Sequence, residues 1–304
     1  MTMDLGIHNT FKSRAINQYM PPLCFELAGQ KLTLLMDDGY DMILNFIDGQ
    51  SLEWNIVGDK PKTEKYSCMK ADNTTYMVYF EVENSQLRTN YLFVIDREND
   101  LVTREIAVIG ENPRWPYLLN TKFEFGAIEK EGQEYKSYPR HGYTSDLIGN
   151  VLEWTYSSDM TTVHIYHCAH FYRITYPNHQ VNYTPDPNDE AAMSNYAISM
   201  MLRSLPSRDE PTTYIKIKEG MYLVSLTEAN TEKLLTGQIM FRSNNLTLLQ
   251  NYKRVFQIGR AFGTSTLPEG DTKTNIAFAA FGRLLDPTEE RFAKLLSDPN
   301  PFIV

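Results

Sequence analysis

Short apolar runs alternate with polar turns along most of the chain, and few stretches carry the wider apolar spacing of a helix. Leu32 to Phe46 holds two apolar runs on either side of Asp37-Asp38-Gly39, the residue types of a tight hairpin turn. Tyr91 to Asp96 and Asp100 to Val108 flank the polar turn Arg97-Glu98-Asn99. Further on, Gly237 to Phe241 and Leu246 to Gln250 flank Ser243-Asn244-Asn245 in the same manner, and Asn275 to Leu285 reads as a late strand. Many short antiparallel strands separated by turns predict a barrel or sandwich rather than βαβ units. Three segments depart from this pattern. Phe11 to Met20 reads as a helix or arm, and Pro287 to Leu296 as a terminal amphipathic helix. Asp189 to Arg203 has acidic residues first, an arginine last and good helix formers between, which predicts a helical insertion.

The strand pattern repeats. Leu27-Ala28-Gly29-Gln30 through Leu34 resembles Leu147-Ile148-Gly149-Asn150 through Trp154, and Thr75 to Phe80 resembles Met221 to Leu226. A third match pairs Ile109-Gly110 with Ile258-Gly259. Ordered matches of this kind predict a duplication. The expected division is a helical arm and first barrel over 1–126, a polar linker over 127–143, and a second barrel over 144–304 that carries the insertion 189–203 and the terminal helix.

Composition sharpens the picture in two ways. The net charge of −9, with no basic cluster, argues against nucleic acid and anionic membrane as partners. Nineteen Tyr, fifteen Phe and three Trp suit β structure and the lining of a small-molecule pocket. No apolar run approaches the length of a membrane span, and the start lacks a basic-then-apolar leader pattern. Cys24, Cys68 and Cys168 form neither a disulfide framework nor a CxxC pair. These features predict a cytoplasmic protein.

The Leu-x-Gly turn, the Asp-Gly hairpin, the Tyr-Met-Val strand and the run Asp146-Leu147-Ile148-Gly149 resemble the MoaF family. That resemblance implies two tandem antiparallel lipocalin-like (calycin) β-barrels with a few short helices. It does not settle function, and no molybdopterin-binding or nucleotide-binding signature is visible, so no cofactor is expected. The second half is also similar to the phenolic acid decarboxylases, which are single lipocalin-like barrels. Ile148-Gly149 through Trp154-Thr155-Tyr156 resembles their opening strand, and Arg208-Asp209 through Ser225-Leu226-Thr227-Glu228 resembles a later one.

By that resemblance Glu228 takes the place of the proton-donating glutamate and Tyr156 that of a substrate-binding tyrosine. Tyr156 matches the second tyrosine of the family's pair, Trp154 replaces the first, and Arg203 is the candidate for the family's arginine. An inward-facing Glu228 is expected to have its carboxyl pKa raised by burial, which suits proton transfer near neutral pH. Tyr156 would share developing negative charge on a ligand oxygen. In His164-Ile165-Tyr166-His167-Cys168-Ala169-His170, alternation puts His164 and His170 on one face and His167 on the other. That argues against a metal site and leaves His164 and Tyr166, with Trp154, as candidates to line a chamber. In the first copy Leu34, Met36 and Val82 fall where Trp154, Tyr156 and Glu228 stand, and this predicts a first barrel without the polar constellation. The expected function is a cofactor-independent lyase, isomerase or cyclase acting on a small unsaturated or phenolic compound. The alternative is a lipocalin-like carrier of a small apolar or aromatic ligand.

Overall fold

A computed structural model describes residues 18–114, 118–130, 132, 139–157, 160–175, 186–188, 193, 208–228, 240–267 and 270–297. The predicted segments Phe11 to Met20 and Asp189 to Arg203 lie almost wholly outside these residues, as does Arg203 itself. The chain divides into two units, the first built on Pro21–Gly142 and the second on Tyr143–Lys216 with Gly220–Val304.

In the first unit eight strands close into an antiparallel barrel in chain order. They are β1 (Lys31–Met36), β2 (Met42–Phe46), β3 (Ser51–Ile56), β4 (Lys62–Lys70), β5 (Thr75–Glu81), β6 (Arg88–Asp96), β7 (Leu101–Ile109) and β8 (Leu119–Ile128). Strict alternation in β1 and β2 turns Leu32, Leu34, Met36, Met42, Leu44 and Phe46 inward, all buried. Each such side chain contributes roughly 1.5–3 kcal/mol through the surface it withdraws from water. The Asp37-Asp38-Gly39 turn forms as expected, with Gly39 in the left-handed region at φ 81°.

The second unit contains β9 (Gly142–Tyr143), β10 (Val151–Ser157), β11 (Met160–Ile165), β12 (Phe171–Thr175), β13 (Arg208–Lys218), β14 (Met221–Thr227), β15 (Met240–Asn251), β16 (Phe256–Leu267) and β17 (Gly270–Leu284). Pairing of β12 with β13 and of β10 with β17 closes β10 to β17 into a second barrel, with β9 laid beside β13. The terminal helix α1 spans Glu290–Ser297 and buries Phe292 against Val151, Val163 and Ile165.

The duplication is visible atom by atom. Gly29 and Gly149 both adopt left-handed backbone, at φ 77° and 94°. The Gly29 amide donates to Phe46 at 2.7 Å and the Gly149 amide to Tyr166 at 2.8 Å. The Leu-x-Gly motif therefore repeats because only glycine takes this turn without strain. Lys70 and Tyr76 both bind the Glu26 carboxylate, at 2.6 and 2.9 Å, and Lys216 and Tyr222 bind Asp146, at 2.7 and 3.3 Å. The offset that carries Tyr76 to Tyr222 also carries Lys70 to Lys216 and Glu64 to Glu210.

Two expectations are corrected. Ile109-Gly110 ends β7, whereas Ile258-Gly259 lies inside β16, so the third match is not an equivalence. Gly259 is there for space: a Cβ on it would come within 2.5 Å of Phe278. Nor is Ser243-Asn244-Asn245 a turn, since β15 runs through it with an irregularity between Phe241 and Ser243. The asparagines instead spend their side chains inside the barrel wall, Asn244 on Glu228 and Asn245 on Ser225.

Candidate functional site

The second barrel buries an unusual number of phenols and amides in its interior. β10 turns Leu152, Trp154 and Tyr156 inward, and its pairing with β11 sets Leu152 opposite His164 and Trp154 opposite Thr162. The register shifts between Thr155 and Ser157, and His164, opposite Leu152, faces the same interior as Trp154 and Tyr156. Tyr166 and Tyr172 complete this wall, with the His164 and Tyr172 rings 4.8 Å apart and the two tyrosine rings 6.0 Å apart.

Their polar atoms form one network. Gln257 donates to the Tyr156 oxygen at 3.0 Å, Gln250 to Gln257 at 3.0 Å, and Gln250 to Tyr166 at 2.8 Å. His164 bridges the hydroxyls of Thr162, at 3.1 Å, and Tyr166, at 3.4 Å. Every member is buried. Burial raises the Tyr156 phenol to about 12, against hydrogen bonds from Thr162 and Gln257 and with the charges of Glu210 and Glu228 adding to the rise. Tyr156 is therefore a neutral phenol at physiological pH, with a proton to give to a ligand oxygen.

Two carboxyl groups act on that phenol. Glu210 of β13 sits opposite Tyr172 of β12, is 1% exposed, and accepts the Tyr172 hydroxyl at 2.8 Å. Glu228 follows β14, is half-buried, and is held by Asn244, whose amide donates to its carboxylate at 2.7 Å. The Glu228 backbone also donates to the Asn244 carbonyl at 3.0 Å. The structure thus brings together Trp154, Tyr156, His164, Tyr166 and Glu228 on one barrel, and Arg203 lies outside the described residues. Glu210, Gln250, Gln257, Thr162 and Tyr172 are members that the sequence reading missed. The one available signal was the alternation Glu210, Thr212, Tyr214 along β13.

His164 is not the general base that its residue type invites. Desolvation alone drives its pKa down to about 3. The unfolded chain therefore takes up a proton that the folded chain refuses. This contribution to stability is complete above about pH 6.5 and is lost as the pH falls toward 3. Urea unfolding should show wild type losing roughly 1.4 kcal/mol per pH unit across that window relative to His164→Gln. Parallel curves would mean that His164 charges freely in the fold. His167 points elsewhere, to Asp209 at 3.1 Å, and His170 is exposed, so the three imidazoles do not converge. Among the described residues no group of His, Cys, Asp and Glu is arranged to hold a metal, and no helix is long and apolar enough to cross a membrane.

No curated protein matches the chain. A family model described as the MoaF N-terminal domain matches residues 12–111, a span that takes in β1 to β7. Over that span the first barrel is similar to the MoaF family.

Proposed function

We propose that the second barrel is a cofactor-independent enzyme of the lyase, isomerase or cyclase type, working in the cytoplasm on a small unsaturated or phenolic compound. The observation that carries this reading is the buried phenol of Tyr156, fixed by Gln257 in an aromatic interior, with the Glu228 carboxylate held by Asn244 on the same barrel. Glu228 takes a proton from one carbon of the substrate and returns it to another, and Asn244 orients its carboxylate. Tyr156 donates to the substrate oxygen that carries charge in between, while Gln257 fixes the phenol. Trp154, Tyr166 and Tyr172 supply an aromatic wall for a flat, apolar substrate. The negative charge of Glu210 and Glu228 on this barrel favours a neutral substrate over a carboxylate.

The second reading, a carrier, is favoured by one feature: Tyr156, Gln250, Gln257 and Tyr166 already satisfy one another. Both are tested by incubating wild type and Glu228→Gln with a panel of phenolic acrylates, enols and enones and following products by mass spectrometry and NMR. The enzyme reading expects turnover of at least one compound by wild type and its collapse in Glu228→Gln. Binding without turnover by either protein establishes the carrier.

A further inference from the structure

The first barrel keeps an inward carboxyl that its own walls leave half satisfied. Glu64 of β4 alternates with Tyr66 and Cys68, both in the barrel core, and is 4% exposed. One of its oxygens accepts the Glu83 amide at 3.0 Å, and the other is buried with no hydrogen-bond partner. The sister barrel shows what is missing. Its equivalent, Glu210, lies opposite Tyr172 and receives that hydroxyl, whereas Glu64 lies opposite Leu52. Leu52 offers no donor where the sister barrel has the Tyr172 hydroxyl. A buried acceptor left bare costs about 1–3 kcal/mol, and more for a charged group.

The inner face next to Glu64 is aromatic, with Trp54 two residues along the facing strand and Tyr66 two along its own, opposite Phe80. Trp54 follows Leu52 on the same inner face, with its ring 5.4 Å from Phe80 and 5.2 Å from Tyr91, and Phe80 and Tyr91 stack at 5.6 Å. The Trp54 indole N–H is also buried without a partner. A cation already rests on this surface: the ammonium of exposed Lys62, directly across from Trp54, lies 5.5 Å from its ring centre. Electron-rich ring faces and a carboxylate on one inner face are the chemistry that recognises an ammonium group.

We propose that this end of the first barrel binds a small organic ammonium bearing at least one N–H, which donates to the bare oxygen of Glu64 while its charge lies over Trp54 and Tyr91 in place of Lys62. Electrostatics agree. Burial is the main influence raising the Glu64 carboxyl pKa, the nearby charges of Glu83 and Glu81 add to it, and Lys62 opposes it. A bound cation relieves that strain on the ionised form. The reading for the first barrel stands apart from the reaction assigned to the second.

The experiment titrates the full chain with benzylammonium and with its neutral counterpart benzyl alcohol, by calorimetry and tryptophan fluorescence. Benzylammonium is expected to bind at least about tenfold more tightly, the size of one desolvated cation–π contact. Glu64→Gln, which keeps the side chain's volume, should abolish that preference, and Lys62→Gln should strengthen benzylammonium binding by removing its competitor. Should Glu64→Gln fail to fold, the rim substitution Lys62→Gln carries the test. Equal affinities for the two probes, no saturable binding of either, a preference that survives Glu64→Gln, or weaker binding in Lys62→Gln overturns the proposal.

Discussion

Trp154→Ala is expected to destabilise the second barrel by about 3–5 kcal/mol, the cost of emptying a closed core site of its largest side chain. Trp154 is fully buried, and it tops the residues of that kind by volume. Its indole is locked by the opposite strand. Trp154 pairs with Gly282 of β17, and a Cβ at Gly282 would stand 2.6 Å from the indole ring. The glycine is thus the hole into which the ring fits. Gly282→Ala alone should overpack the site at a cost of about 1–3 kcal/mol. In the Trp154→Ala background the same change should cost far less, because the ring it strikes has gone. Urea unfolding of the two single variants and the double variant measures that coupling. A loss under about 1 kcal/mol for Trp154→Ala would mean that the indole is not the keystone of this wall.

Much of this architecture was legible because turn chemistry is local. Gly29 and Gly149 need left-handed backbone wherever the rest of the chain goes, so the Leu-x-Gly motif repeats with its strands. Alternation then carried Trp154, Tyr156, His164 and Tyr166 to the interior, since a strand has only two faces. What stayed hidden depends on closure of the barrel. Glu210 sits in the charged run Arg208-Asp209-Glu210 and reads as solvated surface until β12 pairs with β13 and Tyr172 meets it. Asn244 and Asn245 read as a turn because their partners, Glu228 and Ser225, lie on another strand. The loss of the polar constellation from the first barrel was also overdrawn. Leu34, Met36 and Val82 do line its core, but Glu64 remains among them, a position that matching from the Glu228 end alone does not reach.

Glu228→Gln should lower kcat/KM on any compound the barrel turns over by about 10²–10⁴, the usual worth of a positioned general acid or base. The amide keeps the size of the side chain and its place beside Asn244, but it can neither take nor return a proton. Folding should be retained, because Glu228 is half-buried and follows its strand rather than filling the core. Glu210→Gln is predicted to behave differently. Glu210 accepts from Tyr172 and bears on Tyr156 through its charge, so it acts as a positioning residue. Its loss should move the pH profile of turnover more than the maximum rate, because the charge that helps to keep the Tyr156 phenol protonated is gone. Tyr156→Phe separates the remaining roles. It removes the donor to the developing charge while leaving Glu228 able to exchange protons, so kcat should fall while solvent deuterium still enters the substrate. Turnover by Glu228→Gln equal to wild type removes the carboxylate from the chemistry and leaves the aromatic wall as the barrel's only contribution, the shaping of a reactive substrate.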